Sequence, residues 1–494
     1  MMRSNLLSTL LVCVSLHGVL VDATDSVLGV HGSGTSNPAR CYGSVIEELQ
    51  ARSKVPLRMT YRSVGSSIGL EEFVNEFNPL RSADDFGSGE IPLSTEQWQT
   101  FQDANVTVMQ LPTLFGAVSF FHSVPDMPNL NLTSCLLARI FMRDIKDWAH
   151  PDIREINPGL DRLFAGDNSN SLGASLRIRV ARREEGSSNT NAITQYLRVA
   201  CPQHFPADMV GPLPEWPIDT EACRGTLGMN DCITQRAGTI GYNDAGIGLF
   251  AGLDEISIKN KYGRLLTSQI AAANGGIGAK ESGVLPSDPT ADFGRVSLLD
   301  QQGEYTWPIT LLTYIYIRTD LSFKTDPAER GLLITFLKAL YDPNYVSRCQ
   351  SNYGFFLADG PALELGMKGI ELLESVNISP EDPQWTFEDK PEPIVGAGAY
   401  VLSSNRRNFP AVEREHNLDG VQDLRAVILQ LEEQVATLQT ELENPSSGGG
   451  NDEAEFSHKY EAMIVAGLTM ATLSLIFVLG LAAVVITQSR AGGK

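Results

Sequence analysis

The chain has 494 residues, 43% of them hydrophobic and 20% charged, the proportions of a globular protein rather than a disordered one. Its formal net charge of -21 excludes non-specific nucleic-acid binding, because there is no surplus of Lys and Arg to displace counterions from a phosphate backbone. An anionic ligand therefore has to be held by local groups.

Residues 1–23 read as a secretory signal: Arg3 supplies a positive start, Leu6 to Leu20 is largely apolar, and Val21-Asp22-Ala23 offers a small-residue cleavage site. Cys13 leaves with that signal. The remaining Cys41, Cys135, Cys201, Cys223, Cys232 and Cys349 form an even set, which in an oxidising compartment predicts up to three disulfides. Cys223 with Cys232 is the first choice, because the two close a short loop. There is no CxxC pair and no neighbouring histidine, so no metal site and no other cofactor is expected.

Residues 24–376 alternate short β-branched runs with amphipathic stretches and Gly/Ser turns, the pattern of an α/β domain. Three of those turns lead from a strand-like run into a helix. Gly32-Ser33-Gly34-Thr35-Ser36-Asn37-Pro38 opens a helix with Pro38 suited to its first turn, Gly65-Ser66-Ser67 follows Leu57 to Tyr61, and Gly186-Ser187-Ser188-Asn189-Thr190 follows Leu176 to Val180. A helix N-terminus presents unpaired N–H groups and about half a positive charge, so several of them meeting at one point hold a small tetrahedral anion without a metal. Arg182-Arg183, just before the third turn, strengthens that reading; the competing one is that each Ser is simply a helix cap.

Asn105, Asn131 and Asn377 open N-glycosylation sequons, which predicts surface positions. The proline-bearing stretch within 377–418 reads as an extended linker. Heptads follow over 419–443, with Val421, Ile428, Val435 and Leu442 at a and Leu424, Leu431 and Leu438 at d, the pattern of a parallel two-stranded coil; the span 421–442 is thus a candidate homodimer stalk, with a lone helix as the alternative. Residues 444–460 contain NPSSGGGN and read as a flexible joint. Residues 462–489 carry no charged side chain, so 462–487 is expected to cross a membrane once, about 20 residues sufficing for a roughly 30 Å core. Arg490 and Lys494 in the tail 488–494 place that end in the cytosol, which puts the α/β domain outside the cell.

The order of segments resembles the phosphate-binding proteins of bacterial ABC importers over nearly all of Val27 to Glu374. GSGTSNPARCYGSVI resembles that family's opening glycine turn and helix, YRSVGSSIG its second ligand loop, and DFGSGEIPLS its DFG segment. LPTLFGAVSFFHSV, LARIFMRDIKDWAHPDIREINPGL, RIRVARREEGSSNT, GTIGYNDAG and TWPITLLTYIYI continue in the family's order. The resemblance implies a two-lobed periplasmic-binding-protein fold of type II that holds dehydrated phosphate in its cleft and closes on it. Carried over position by position, it implies donation from Ser36 and Asn37, from Ser66, and from Arg183, Ser187, Ser188 and Asn189, with Glu90 facing the ligand's proton. Asn37 would contribute its backbone N–H, so that its side chain need not matter. Three positions depart from the family: Glu90 replaces an Asp, Ser188 a Gly and Asn189 a Thr.

The function expected from this is capture of inorganic phosphate outside the cell, for delivery to a phosphate transporter or to a signalling partner. A receptor or scaffold that keeps the fold and binds another oxyanion is the alternative. A phosphatase is the less favoured one, because no nucleophile with a partner base is evident and no catalytic residue is assigned. On the bland reading, Arg183 pairs with Glu184 or Glu185 at the surface and Glu90 is an exposed loop carboxylate.

Overall fold

A computed structural model describes residues 27–74, 84–164, 175–278, 284–388 and 398–406. The expected signal, heptad stalk, flexible joint, membrane span and tail lie outside the described residues. Among the described residues no helix is long and apolar enough to cross a membrane.

The framework is a ten-stranded sheet. Its continuous path uses β1 (Leu28–Gly34), β2 (Leu57–Ser63), β3 (Phe86–Gly89), β4 (Val108–His122), β5 (Arg179–Arg183), β6 (Glu221–Cys223), β7 (Thr239–Asp244) and β8 (Thr310–Arg318) in the order β2-β1-β3-β8-β4-β7-β5-β6. Parallel strands lie at both ends of this path, where β1 pairs with β2 and β3 and where β5 pairs with β6 and β7. The antiparallel strands β8 and β4 join the two ends.

β4 divides the molecule into two lobes. All of its fifteen residues are buried, as expected of a near-continuous apolar run covered on both faces. Residues up to Ala117 pair with β8, whereas Val118 to His122 pair with β7. The cores change at the same point. Lobe I is packed around Val30, Tyr42, Phe86, Ile315, Phe336 and Leu337, with a satellite around Phe73, Phe101 and Tyr316, whereas lobe II is packed around Phe120, Phe141, Trp148, Tyr196 and Tyr242. Where the chain crosses, Val118 N–H donates to Ile309 O at 3.0 Å and the Trp307 indole donates to Val118 O at 3.0 Å, so the connection is fixed by buried bonds.

Pro112 has no N–H for the ladder, and the register of β4 against β8 slips there by one residue, a bulge of the kind that admits proline into a central strand. Thr313 stands at this bulge and sends its hydroxyl toward Glu90.

All six cysteines of the domain are paired: Cys41–Cys349, Cys135–Cys201 and, as expected, Cys223–Cys232. Two sequence expectations need correction. The described parts of the proline-bearing stretch, up to 388 and over 398–406, are docked rather than extended: Thr386–Glu388 pairs in parallel with Val401–Ser403, and Trp385, Phe387 and Leu402 pack on the core of lobe I. Trp385 also donates its indole N–H to Ala328 O at 3.0 Å, so burial of aromatic side chains wins over the stiffness that the prolines suggested. Asn377 is not a surface sequon. Its side chain is buried, its Oδ1 accepting from Leu321 N–H and its amide donating to Thr319 O and Leu373 O.

Candidate functional site

Three helices begin at the junction of the lobes. α1 (Ala39–Arg52) follows the β1 turn, α2 (Ser66–Val74) follows β2, and α3 (Ser188–Ala200) follows β5. β1 and β2 run toward the junction from lobe I while β5 and β7, antiparallel to them across β8 and β4, run toward it from lobe II, so the order strand, glycine, helix brings all three starts to the junction from opposite sides. Glycine is required where the first two turns meet. Gly34 lies at φ +144, where a Cβ would sit 1.9 Å from Ser88 O, and a Cβ on Gly69 would sit 2.2 Å from Gly34 Cα. The two turns touch backbone to backbone, which is what draws Thr35, Ser66 and Glu90 together.

In lobe I the centre is Glu90, which is buried rather than an exposed loop carboxylate. Its Oε2 accepts from Thr35 Oγ1 at 2.6 Å and Ser66 Oγ at 3.0 Å, and its Oε1 accepts from Thr313 Oγ1 at 3.4 Å. Burial pushes its pKa above the ordinary carboxylate value, and the hydroxyls of Thr35, Ser188 and Ser66 offset part of that rise. Tyrosines position this cluster. Tyr61 donates to Thr35 O at 2.8 Å, Tyr316 donates to Ile91 O, and Tyr42 bonds Ser88 at 2.9 Å.

In lobe II, Arg183 ends β5 and is buried, with its guanidinium on Glu185 rather than on Glu184. The bland reading thus had the right partner type in the wrong place, since this pair is inside the junction. Glu185 also accepts from Gly225 N–H at 3.0 Å, which fixes the carboxylate that holds Arg183. Tyr242 of β7 accepts Arg183 N–H at 3.1 Å and bonds Thr190 at 2.7 Å, tying the cation to the start of α3. Ser187 caps α3 by accepting from Asn189 N–H at 3.2 Å, so its hydroxyl has the ordinary capping task.

The lobes meet through the turns themselves. Asn37 donates its side-chain amide to Asn189 Oδ1 at 2.7 Å and to Ser188 Oγ at 3.4 Å, and Ser36 bonds Thr226 at 3.2 Å. The Asn37 side chain is thus engaged between the lobes, beside whatever its backbone N–H contributes. The eight predicted residues Ser36, Asn37, Ser66, Glu90, Arg183, Ser187, Ser188 and Asn189 all stand at this junction, and the amide of Asn189 is buried without an acceptor among the described residues. Asp244, at the end of β7, was not foreseen; burial first, and then the charge of Glu90, pushes its pKa up to about 8. Thr35, Thr226 and Thr313 were also missed. Thr35 lay inside a recognised turn and was readable there, whereas nothing local marks Thr226, Thr313 or Asp244.

Ser36, Gly65, Arg183 and Thr226 are among the residues lining a cleft of about 740 Å³ between the lobes, and Glu90 lines a neighbouring one of about 280 Å³. The arrangement supplies hydroxyls, helix-start N–H groups and one guanidinium as donors, and one protonatable carboxyl as acceptor. That is a donor set for a small oxyanion that still carries a proton.

A family model described as a PBP superfamily domain matches residues 21–295. The phosphate-binding protein PstS of Methanocaldococcus jannaschii is 22% identical over 335 residues, which cover 63% of this chain and 82% of that protein. The phosphate-binding protein PstS of Haemophilus influenzae is 26% identical over 296 residues, covering 58% of this chain and 78% of that protein. Among solved structures, a phosphate-binding protein from Stenotrophomonas maltophilia superposes with a TM-score of 0.48 at 18% identity, covering 69% of this chain and 93% of that one. A human phosphate-binding apolipoprotein gives 0.49 at 16% identity, with 72% and 95% covered.

Proposed function

The chain belongs to the PBP superfamily, and from that membership we propose that it binds inorganic phosphate in the cleft between its two lobes. The observation that carries this reading is the buried Glu90 carboxyl, ringed by hydroxyls of Thr35, Ser66 and Thr313 and reached by Ser188 at the start of α3 in the other lobe. Ser36 and Ser187 donate hydroxyls, Ser66 and Ser188 turn theirs from Glu90 to the ligand, Asn37 and Asn189 donate N–H groups at helix starts, and Arg183 supplies the cation. Because Glu185 offsets the charge of Arg183, most of the ligand's charge is met by dipoles and N–H groups, which suits a bound anion stripped of water.

Glu90 provides discrimination. Phosphate near neutral pH retains a proton that a buried carboxylate can accept, whereas sulfate has none and leaves two anions face to face. Titration calorimetry of the purified full-length protein tests this. Phosphate and arsenate are expected to bind and sulfate to bind at least about a hundredfold more weakly, with Glu90→Gln narrowing that gap. Absence of any phosphate affinity sinks the reading, and binding of sulfate alone redirects it to a receptor or scaffold for another oxyanion.

We further infer that the domain is displayed outside the cell as a single-pass membrane protein, with residues 1–23 removed and 462–487 as the anchor. Three disulfides formed by all six cysteines of the domain support an oxidising compartment. The heptads over 421–442 support a dimeric stalk, and uptake or sensing then depends on which partner docks, a transporter or a signalling protein. Cross-linking at the cell surface followed by pull-down distinguishes the two; a monomer lacking surface exposure removes both.

A further inference from the structure

The two disulfides of lobe II differ in what they hold. Cys135–Cys201 ties the far end of α3, whereas Cys223–Cys232 stands beside the cation. In the ladder of β5 with β6, Cys223 is the register partner of Arg183, and Glu184 N–H donates to Cys223 O at 3.0 Å. Cys232 lies on the next helix, α4 (Gly225–Gln235), so the disulfide fastens the end of β6 to the body of the helix that follows it.

The turn between the two cysteines has no cap of its own. Arg224 at the N-cap makes no side-chain hydrogen bond to α4, and Gly225 lies at φ +66, where a residue with a Cβ is strained. The turn after β5 supplies the cap instead. Gly225 N–H donates to Glu185 Oε1 at 3.0 Å, and the same oxygen accepts from Arg183 Nε at 2.9 Å. One carboxylate oxygen thus serves a helix start, where negative charge is stabilised, and the buried guanidinium. Where Gly225 N–H stands, Glu185 and with it Arg183 must follow. The rest of α4 is held separately: Asn243 of β7 donates its amide to Thr226 O and to Asn230 Oδ1, both at 2.8 Å, and Met229 and Ile233 are buried in the core of lobe II.

Resting on the phosphate reading above, we propose that the Cys223–Cys232 disulfide is a positioning element of the anion site: it fixes the Gly225 turn, the turn fixes Glu185, and Glu185 fixes the Arg183 guanidinium. Because Asn243 and the core keep α4 on the sheet, loss of the disulfide frees the 223–225 turn and is read in affinity more than in folding.

Titration calorimetry of the full-length protein with inorganic phosphate tests this. Cys223→Ala with Cys232→Ala is expected to weaken phosphate binding about tenfold, the loss of a pre-organised contact. Cys135→Ala with Cys201→Ala is expected to leave it within about twofold, because Cys201 is about 20 Å along α3 from Ser188 at 1.5 Å per residue. Gly225→Ala, which strains the turn with the disulfide intact, is expected to weaken binding about as much as opening Cys223–Cys232 does. In a Glu185→Ala background, opening Cys223–Cys232 or straining Gly225 should change affinity by no more than about twofold, since the link to Arg183 is already cut. Unchanged affinity in the Cys223 and Cys232 double variant, an equal loss from the two disulfides, or an equal loss with and without Glu185 overturns the proposal and leaves the phosphate reading standing. If that double variant does not fold, Gly225→Ala and its cycle with Glu185→Ala decide alone. Absence of phosphate binding by the parent overturns the phosphate reading, and this proposal with it.

Discussion

The two lobes bring opposite chemistry to the junction. Lobe I contributes an acceptor, the Glu90 carboxyl, wrapped in hydroxyls and underlain by tyrosines, while lobe II contributes the cation Arg183, anchored by Glu185, and the start of α3. Neither lobe has both parts. On the phosphate proposal, recognition of the proton and of the charge would need both lobes together, and the Asn37–Asn189 bond joins them. The lobes also differ in their staples: in lobe I Cys41 and Cys349 are 308 residues apart, whereas the pairs in lobe II are separated by 66 and 9.

The contrast in staples gives the largest expected effect. Replacing Cys41 and Cys349 by Ala removes the cross-link that closes the long loop and is expected to destabilise lobe I by about 2–5 kcal/mol, more than the same change at Cys223 and Cys232. Limited proteolysis during a thermal melt checks it: lobe I fragments should be released first, and equal sensitivity of the two double variants breaks the comparison.

Arg183→Ala tests the division of charge. It removes the cation and leaves Glu185, one of whose oxygens is already buried without a partner among the described residues, facing the ligand. Phosphate binding is expected to weaken by at least about 2 kcal/mol, roughly 30-fold, in calorimetry at low salt, and an unchanged affinity takes Arg183 out of the site.

Asp244 sharpens the comparison at the junction itself. Its folded pKa is raised to about 8, so the folded state holds a proton that the unfolded chain releases near the ordinary Asp value. Its contribution to stability is full below about pH 4 and is lost as pH rises through about 8. Asp244→Asn, which still accepts from Ile247 N–H as a cap, is expected to gain roughly 1–3 kcal/mol over the parent at pH 8 and little at pH 4 in denaturant titrations. A constant difference across that range removes the titration of Asp244 from the account.

The smallest effect belongs to the interlobe contact. Asn37→Ala removes the bond to Asn189 without touching the backbone N–H, and about 0.5–1.5 kcal/mol of closed-state stability should go with it. Small-angle scattering in the absence of phosphate should show a more open particle that phosphate recloses; an identical profile shows that the contact is incidental.

Some of this was readable in the sequence and some was not. The glycine turns, their flanking strands and the helices they start follow from short spacings, because φ-permissive glycines, caps and apolar periodicity act within a few residues. The Ser187 cap and the Cys223–Cys232 loop are of the same local kind. Asn377 could be read only as a sequon, and the proline-bearing stretch only as a linker, since nothing within either segment announces the core residues that bury it.

By itself the sequence determined the α/β class, three anion-ready helix starts and the residue types that could serve an oxyanion, all of them consequences of local backbone geometry and composition. Only the tertiary structure decided that Glu90 and Arg183 are buried, that Asn37 reaches Asn189 across the cleft, and that Thr226, Thr313 and Asp244 belong to the same place. Those facts depend on residues up to 223 positions apart in the chain, as Glu90 and Thr313 are, and their meeting is set by how β4 crosses between the lobes and how the two cores pack, which no run of neighbouring residues encodes.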